Sequence, residues 1–531
     1  MFDWLEIYWT DVYKTGHRFM LPVGSKLMYS NFTPRSGKLS NCPNNGKVVA
    51  AGMQMTMMKM KEDWDNNFFK KDVSEIDQFG QDMTDMLMLS TPFNVDHFKE
   101  LHALGYLPIE IKAVEEGNLI PYKIPLFDIV NTHPISNTVA DWIVNYLETI
   151  LSAESWMTPT SATLAFSYKK LGKYWIEKTD PENAWFLDYQ FHDFSMRGMP
   201  GKSAIVNSGI GFAMCSSGSD TLPVIPAARK YYGATKACIG SVIASEHAIM
   251  CTLTGFFLMK KDGTWEKIGE LEVETFRYLL KRFPTGILSL VSDTWDLWRV
   301  ITEYCKVLKD EILARDGKLV IRPDSGDPVD IVCGLNTNDT SNDTMVEHPS
   351  YKGVIELLWD VFGGEITSTG YKRLNSKIGA IYGDSITYAR AKAIFERLAS
   401  KGFASTNIVL GVGSYSLQYV TRDTHGFAQK ATYVEIEYDG NVHGIEIFKD
   451  PITDNGTKKS ARGLLMVYKD ENGEYKLKDR CTWEEVYSEK NELKTIFKDG
   501  VIYSKQTMDD IRARIKKNLE KECAKDLALA Q

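Results

Sequence analysis

The chain has no pair of cysteines at metal-binding spacing. Its eight cysteines (Cys42, Cys215, Cys238, Cys251, Cys305, Cys333, Cys481 and Cys523) are scattered, and none forms a C-x-x-C pair. Neither a zinc site nor a disulfide framework is indicated, and the pattern suits a reducing cytosol. A secretory leader is lacking too. The opening MFDWLEIYWTDVYK is acidic and aromatic, without a basic start or a pure apolar run. The most apolar later stretch, SVIASEHAIMCTLTGFFLM, is broken by Ser245, Glu246 and His247, which makes it a poor membrane span. There is no excess of basic charge: the net charge of -8 argues against a general nucleic-acid partner. No short-period repeat or low-complexity tract is visible. These absences leave a soluble cytoplasmic protein, in the host cytoplasm if the chain is viral.

What is present is ordinary in composition, with 44% hydrophobic and 25% charged residues, and 531 residues allow more than one domain. The run MQMTMMKM, Met53 to Met60, reads as packing surface, and NTNDTSNDT, Asn336 to Thr344, as a surface loop. In NTVADWIVNYLETIL, Val139, Trp142, Ile143, Tyr146, Leu147, Ile150 and Leu151 share one face at helical spacing, with Asn137 as N-cap.

The central part repeats another theme. GILSLVSD ends at Asp293, LVIRPDSG holds Arg322 and Asp324, KIGAIYGD ends at Gly383 and Asp384, and NIVLGVGS ends at Gly413 and Ser414. Each is an apolar, strand-like run that stops at polar or glycine residues. Leu319, Val320 and Ile321 read as a strand buried on both faces. Pro323 stiffens its end and Gly326 permits a tight turn. A helix follows Asp384, starting near Ser385 and stopping at Gly402. Strands alternating with helices imply a parallel sheet or barrel, and polar strand ends favour a (β/α) barrel with one ligand site at its mouth. The last hundred residues differ: Asp439-Gly440 and Asn472-Gly473 are hairpin signals of an antiparallel sheet.

Four constellations carry possible chemistry. In FHDFSMRG, Phe194 could stack a flat ligand and Arg197 hold an anion, although a core ring beside a surface arginine is the commoner arrangement. Asp220, in SSGSDTL, could accept from an NH2 group, or simply form a turn. His247, beside Glu246 at the end of an apolar run, could act as nucleophile or proton shuttle, or be a hydrogen-bonded core histidine. Asp384 and the turn of Gly411, Gly413 and Ser414 could cradle phosphate through backbone N–H groups, with Arg422 one or two helical turns on. Together they suit a phosphorylated sugar, a flat heterocycle and an oxocarbenium-like centre.

In order and spacing, TDVYKTGH, YLETIL, FHDFSMRG, GSDT, SEH, VSDTWDLW, IRPDSGDP, YGDS, LQYVTRD and FKDP make the chain resemble the nicotinamide phosphoribosyltransferase family over nearly its full length. The resemblance implies an irregular (β/α) barrel of the type II phosphoribosyltransferase kind. A second α+β domain with an antiparallel sheet goes with it. Residues 1–160 and 426–531 would build the second domain and 161–425 the barrel. It implies a pentosyltransferase of NAD salvage, making nicotinamide mononucleotide and pyrophosphate from nicotinamide and phosphoribosyl pyrophosphate. Mg²⁺ would be held mainly through pyrophosphate, with no protein metal site, and ATP would phosphorylate His247. A homodimer would share its active sites, Tyr13 of one subunit and Phe194 of the other sandwiching the nicotinamide. Asp220 would receive the amide. Arg197 and Arg322 would lie near ring and pyrophosphate, with Asp293, Asp324 and His247 the catalytic group. Gly383, Asp384, Gly413, Ser414 and Arg422 would take the ribose-phosphate end. Arg35, Lys430, Lys449 and Lys458, or Lys459 beside it, would neutralise phosphates. Ser414 and Tyr415 stand where that family's loop carries glycines. The alternatives are nicotinate phosphoribosyltransferase, where Asp220 would repel the substrate's carboxylate, an inactive relative acting as a binding protein, and a barrel enzyme for another phosphosugar.

Overall fold

The strand-like runs of the central region pair side by side. In the computed structural model, which describes residues 3–132, 142–261, 264–335, 348–449, 452 and 461–529, they build a seven-stranded sheet. Its spatial order is Gly218–Ser219, Phe191–Asp193, Ile408–Val412, Ile378–Tyr382, Asp316–Arg322, Thr285–Val291, Ile243–Ala244. Every pairing is parallel. The sheet's two ends approach each other: Gly218 bridges Gly240, with Gly240 N–H donating to the Ser217 carbonyl at 2.7 Å. The sheet therefore curls into an irregular barrel, and its strands' carboxyl ends share one mouth.

Side chains alternate along these strands. Leu319 and Ile321 are 0% exposed and join the core beneath the surrounding helices, whereas Val320 is only half-buried on the inner face with Lys318 and Arg322. The strand is thus not buried equally on both sides, because a barrel lumen, not a second helical layer, lies on its inner face. Parallel register carries the inner face from Val320 to Gly379 on one neighbour and to Ser289 on the other.

Outside the barrel pack the helices Lys202–Cys215, Val224–Tyr232, His247–Lys260, Glu272–Arg282, Gly353–Phe362 and Tyr388–Ser400. The long helix Met157–Thr179 lies along Lys202–Cys215. The helix after Asp384 starts three residues beyond Ser385, at Tyr388, because Thr387 caps it by accepting from Arg390 N–H, and Gly402 closes it with a φ of +77°.

A second sheet, also seven-stranded, draws on both ends of the chain. Its order is Asn441–Glu446, Ala428–Tyr438, Ser25–Thr33, Phe127–Asn131, Ile109–Ala113, Lys494–Lys498, Val501–Ile502. Asp439 and Gly440, both at positive φ, make the two-residue hairpin turn. The final helix Met508–Leu529 leaves this sheet: Met508, Ile511, Ile515 and Leu519 join the barrel's core. Met53, Met55, Met57 and Met60 are buried on the helix Met53–Trp64.

The single helix expected through residue 151 is two, Ile143–Tyr146 and Glu148–Ser155, meeting at Leu147. Trp142, Ile143, Tyr146, Leu147 and Leu151 are buried as expected, while Asn137 and Val139 lie outside the described residues. So does the loop Asn336 to Thr344. Among the described residues no helix is long and apolar enough to cross a membrane.

Candidate active site

The barrel mouth is assembled from strand ends. Phe194 follows the strand Phe191–Asp193 and is held by its N–H on the Val412 carbonyl at 3.0 Å. Its ring lies against bare backbone. A Cβ on Gly411 would sit 2.7 Å from Phe194 Cε2 and 2.8 Å from the Gly383 Cα, and one on Gly383 would meet the same ring at 3.4 Å. Gly411 is therefore a seat for the ring, inside its strand, and not part of a phosphate turn. The Arg322 guanidinium stands over the same ring, 5.8 Å from its centroid.

Next to Phe194, at 4.7 Å between ring centroids, is His192. Its Nε2 is 2.9 Å from Asp220 Oδ1, which also accepts from the Ser241 hydroxyl. Burial raises the Asp220 pKa, but the His192 and Ser241 hydrogen bonds and the charges of His192 and Arg322 outweigh it. The carboxyl lies below its ordinary range, ionised at neutral pH. Among the described residues Oδ2 has no partner, so this oxygen is open to a donor. Asp193, directly before the ring, is fully buried and accepts from Ser195 N–H, Ser195 Oγ, Ser219 Oγ and Thr221 Oγ1. It is a structural knot that fixes the turn carrying Phe194.

Across the mouth stand the acids. Asp293 Oδ2 accepts from Asp324 N–H at 2.8 Å and from Ser325 Oγ at 2.6 Å, and Oδ1 lies 3.3 Å from His247 Nε2. His247 does not end a strand. The strand there is only Ile243–Ala244, and His247 opens the helix His247–Lys260 with its side chain 49% exposed. The carboxylate that faces its ring is Asp293 and not Glu246. Asp324 is pushed above its ordinary pKa, first by burial and then by Asp293 and Asp384 against the opposing pull of Arg322 and His247. Arg322 donates weakly to the Ser245 carbonyl at 3.5 Å, and its Nε is buried without a partner among the described residues. Such a stranded donor at a concave mouth points to an anionic ligand.

The other expected residues sit apart. Arg197 is exposed on the turn Met196–Gly198. Gly413 precedes the single helical turn Ser414–Leu417, and Arg422 is on a separate turn, Arg422–Thr424. The helix expected to carry Arg422 has already ended. Tyr13 is 57% exposed beside His17, and Lys430 reaches Glu148 Oε1 at 3.1 Å, with Lys14 on the same carboxylate. Arg35 Nε donates to the Gly426 carbonyl at 2.8 Å. Lys449 is exposed after the strand Asn441–Glu446, and Lys458 and Lys459 lie outside the described residues. Among the described residues no hydrogen bond, ion pair or ring contact joins Tyr13, Arg35, Lys430 or Arg422 to Phe194, Arg322, Asp324 or His247. None of the described His, Cys, Asp and Glu residues forms a group of three fit to hold a metal.

Residues 189–500 match the model of the nicotinate phosphoribosyltransferase (NAPRTase) family. This chain belongs to that family. It is 42% identical over 524 residues to the nicotinamide phosphoribosyltransferase of Acinetobacter baylyi, covering 96% of this chain and 97% of that one. It is 32% identical to the nicotinamide phosphoribosyltransferase of Mycoplasma pneumoniae, over 86% and 96% of the two chains. In fold it is similar to nicotinate-nucleotide pyrophosphorylase from Pyrococcus furiosus, with a TM-score of 0.54, 14% identity and coverage of 97% and 95%. It is also similar to human nicotinic acid phosphoribosyltransferase, with a TM-score of 0.50, 13% identity and coverage of 96% and 93%. The barrel with its added antiparallel sheet is thus the type II phosphoribosyltransferase fold, and the family is one of pentosyltransferases.

His192, Ser241 and the seat at Gly411 are parts of this candidate site that sequence reasoning missed. The alternation of FHDF, which puts His192 and Phe194 on one face, was the signal for the first. Nothing local marks Ser241, which meets Asp220 only through the closure of the barrel. The seat has a direct test. Gly411→Ala should destabilise the protein by about 1–3 kcal/mol, because ring and backbone both resist the new methyl. Gly379→Ala, which meets only the flexible Lys318 stem at 3.3 Å, should cost far less. Denaturant titration of both variants measures the difference, and equal losses would show that the ring does not need the seat.

Proposed function

We propose that the protein is a nicotinamide phosphoribosyltransferase of NAD salvage, joining nicotinamide to phosphoribosyl pyrophosphate and releasing pyrophosphate. The observation that carries the choice of base is Asp220. Its open Oδ2, on a carboxyl held ionised beside Phe194, can accept from a carboxamide NH2 and repels a carboxylate.

The reaction asks little acid–base work of the protein. The pyridine nitrogen carries no proton, so its lone pair attacks C1 of the sugar directly while the C1–O bond to pyrophosphate breaks, and the electrons of that bond leave with the oxygen. Phe194 stacks the ring, Asp220 fixes its rotation, and Arg322 lies where the leaving group gathers charge. Asp324, held at the strand end by Asp293, faces the developing positive sugar. Mg²⁺ suits this donor set only as a shared ion. Burial first, and then Asp293 and Asp384, raise the Asp324 pKa, and among the described residues no group of three His, Cys, Asp or Glu could cage a metal, so the ion would arrive on pyrophosphate and meet one or two carboxylates. Bound there, it would neutralise the leaving group.

His247 is read as the site of ATP-dependent phosphorylation. With Nε2 turned to Asp293, Nδ1 is the free nucleophile: it attacks the γ-phosphorus, ADP leaves, and Asp293 stabilises the charged imidazole until water releases phosphate. The helix N-terminus and Arg322 favour the added anion. Tyr13, Arg35, Lys430 and Arg422, which among the described residues make no contact with Phe194, Arg322, Asp324 or His247, fit a homodimer in which each subunit completes its partner's site. A reducing cytoplasm accords with the eight free cysteines.

Four measurements test this reading. Incubation with phosphoribosyl pyrophosphate, Mg²⁺ and each base in turn should give nicotinamide mononucleotide from nicotinamide and little nicotinate mononucleotide from nicotinate, read by mass spectrometry. Asp220→Asn should shrink the preference for amide over acid at least tenfold, and an unchanged ratio would remove Asp220 as the reader. His247→Ala should abolish ATP hydrolysis and the gain that ATP gives, while slow ATP-independent synthesis survives; undiminished stimulation would exclude the histidine. Sedimentation of the active enzyme should give at least a dimer, and a fully active monomer would refute the shared site.

A further inference from the structure

The loop that carries Arg35 is clamped from both sides. Lys123 N–H donates to the Pro34 carbonyl at 2.7 Å. The His425 carbonyl accepts from both Arg35 N–H at 3.0 Å and Ser36 N–H at 3.3 Å. Arg35 Nε then donates to the Gly426 carbonyl, and among the described residues the two terminal nitrogens of the guanidinium have no hydrogen-bond partner. The same short loop holds Arg422. Phe427 N–H donates to the Arg422 carbonyl at 3.0 Å, Gly426 N–H to the Asp423 carbonyl at 3.0 Å, and Thr421 and Thr424 cap each other. Two cations from opposite ends of the chain thus hang on one turn whose centre is His425.

The ring of His425 is buried, 0% exposed. Its Nδ1 is 2.9 Å from the Tyr122 hydroxyl, which also accepts from Asn44 Nδ2, and the two rings lie nearly parallel at 28°. Nε2 has no partner among the described residues. Tyr122 in turn needs the bare backbone of Gly37, where a Cβ would meet its Cζ at 2.8 Å. Burial pushes the His425 pKa down to about 4, so the ring is neutral across the physiological range and no charge of its own competes with the arginines. A phenylalanine could fill this space without stranding a ring N–H. The imidazole is explained by its bond to Tyr122, and through the backbone by the carbonyl that meets Arg35.

We propose that Tyr122 and His425 form a positioning pair that aims the Arg35 and Arg422 side chains at the phosphates of phosphoribosyl pyrophosphate without touching the substrate. This rests on the reading of those arginines as phosphate ligands. The pair acts on one substrate only, since nothing in it approaches Phe194 or Asp220. Tyr122→Phe keeps the ring and removes the hydroxyl. It should raise KM for phosphoribosyl pyrophosphate about three- to tenfold, the loss of roughly one hydrogen bond. It should leave kcat within about twofold and KM for nicotinamide unchanged. His425→Leu should do the same, and His425→Gln, which can still accept from the hydroxyl, should recover most of the loss. Thermal melting verifies that each variant is folded. Arg35→Ala and Arg422→Ala serve as controls and should raise the same KM further. If they do and the Tyr122 and His425 variants do not, or if both substrates' KM values rise together, the positioning pair is refuted. If the arginine variants leave that KM unchanged, the phosphate reading fails and the pair falls with it.

Discussion

Asp293 is the constraint on which the barrel mouth depends. One oxygen of this buried carboxylate ties down Asp324 N–H and Ser325 Oγ, and the other faces His247. Three elements that are remote in sequence thereby share a single anion: the end of the strand Thr285–Val291, the loop after Asp316–Arg322 and the start of the helix His247–Lys260. Oδ2 uses its lone pairs on Asp324 N–H and Ser325 Oγ and so fixes the Asp324 loop. Oδ1 faces the histidine but is buried without a hydrogen-bond partner among the described residues. Remove the carboxylate and Asp324 loses its register against Arg322, whose guanidinium is already only weakly held.

The opposite wall is built by absence of side chains. Gly383 and Gly411 let Phe194 lie on bare backbone, and Asp193 fixes the turn that presents it. A rigid aromatic face with a cation above it and an ionised carboxylate beside it suits a flat, polar heterocycle. The acids facing it suit a sugar that becomes positive as it is transferred. In the proposed reaction the two walls would divide the work, one recognising the base and the other stabilising charge, and the strand ends keep them apart.

A third group, on the antiparallel sheet and its connections, gathers cations from both ends of the chain around the turn of His425. Among the described residues no hydrogen bond, ion pair or ring contact joins its cations to Phe194, Arg322, Asp324 or His247, and this motivates the dimer proposed above. The phosphate role proposed for these cations requires that they hold their geometry before substrate arrives. The dense hydrogen bonding of residues 34–37 and 421–427 supplies that stiffness.

Much of this was legible in the sequence. Apolar runs ending in IRPDSG, YGD and VGS announced parallel strands with a site at their carboxyl ends, because only strands buried beneath helices are so apolar. The Asp439-Gly440 hairpin and the packing role of the methionine run were equally local. The family resemblance then named Phe194, Asp220, His247 and Arg322 without geometry. What the sequence alone could not decide was which residues meet. That His247 faces Asp293 and not Glu246, that Gly411 seats a ring, and that Ser241 supports Asp220 all follow from parallel register and barrel closure. These set contacts between residues far apart in the chain. Val320 facing a lumen, and Arg422 leaving the helix before it, were likewise decided by packing, since burial on a face depends on what the fold places opposite it.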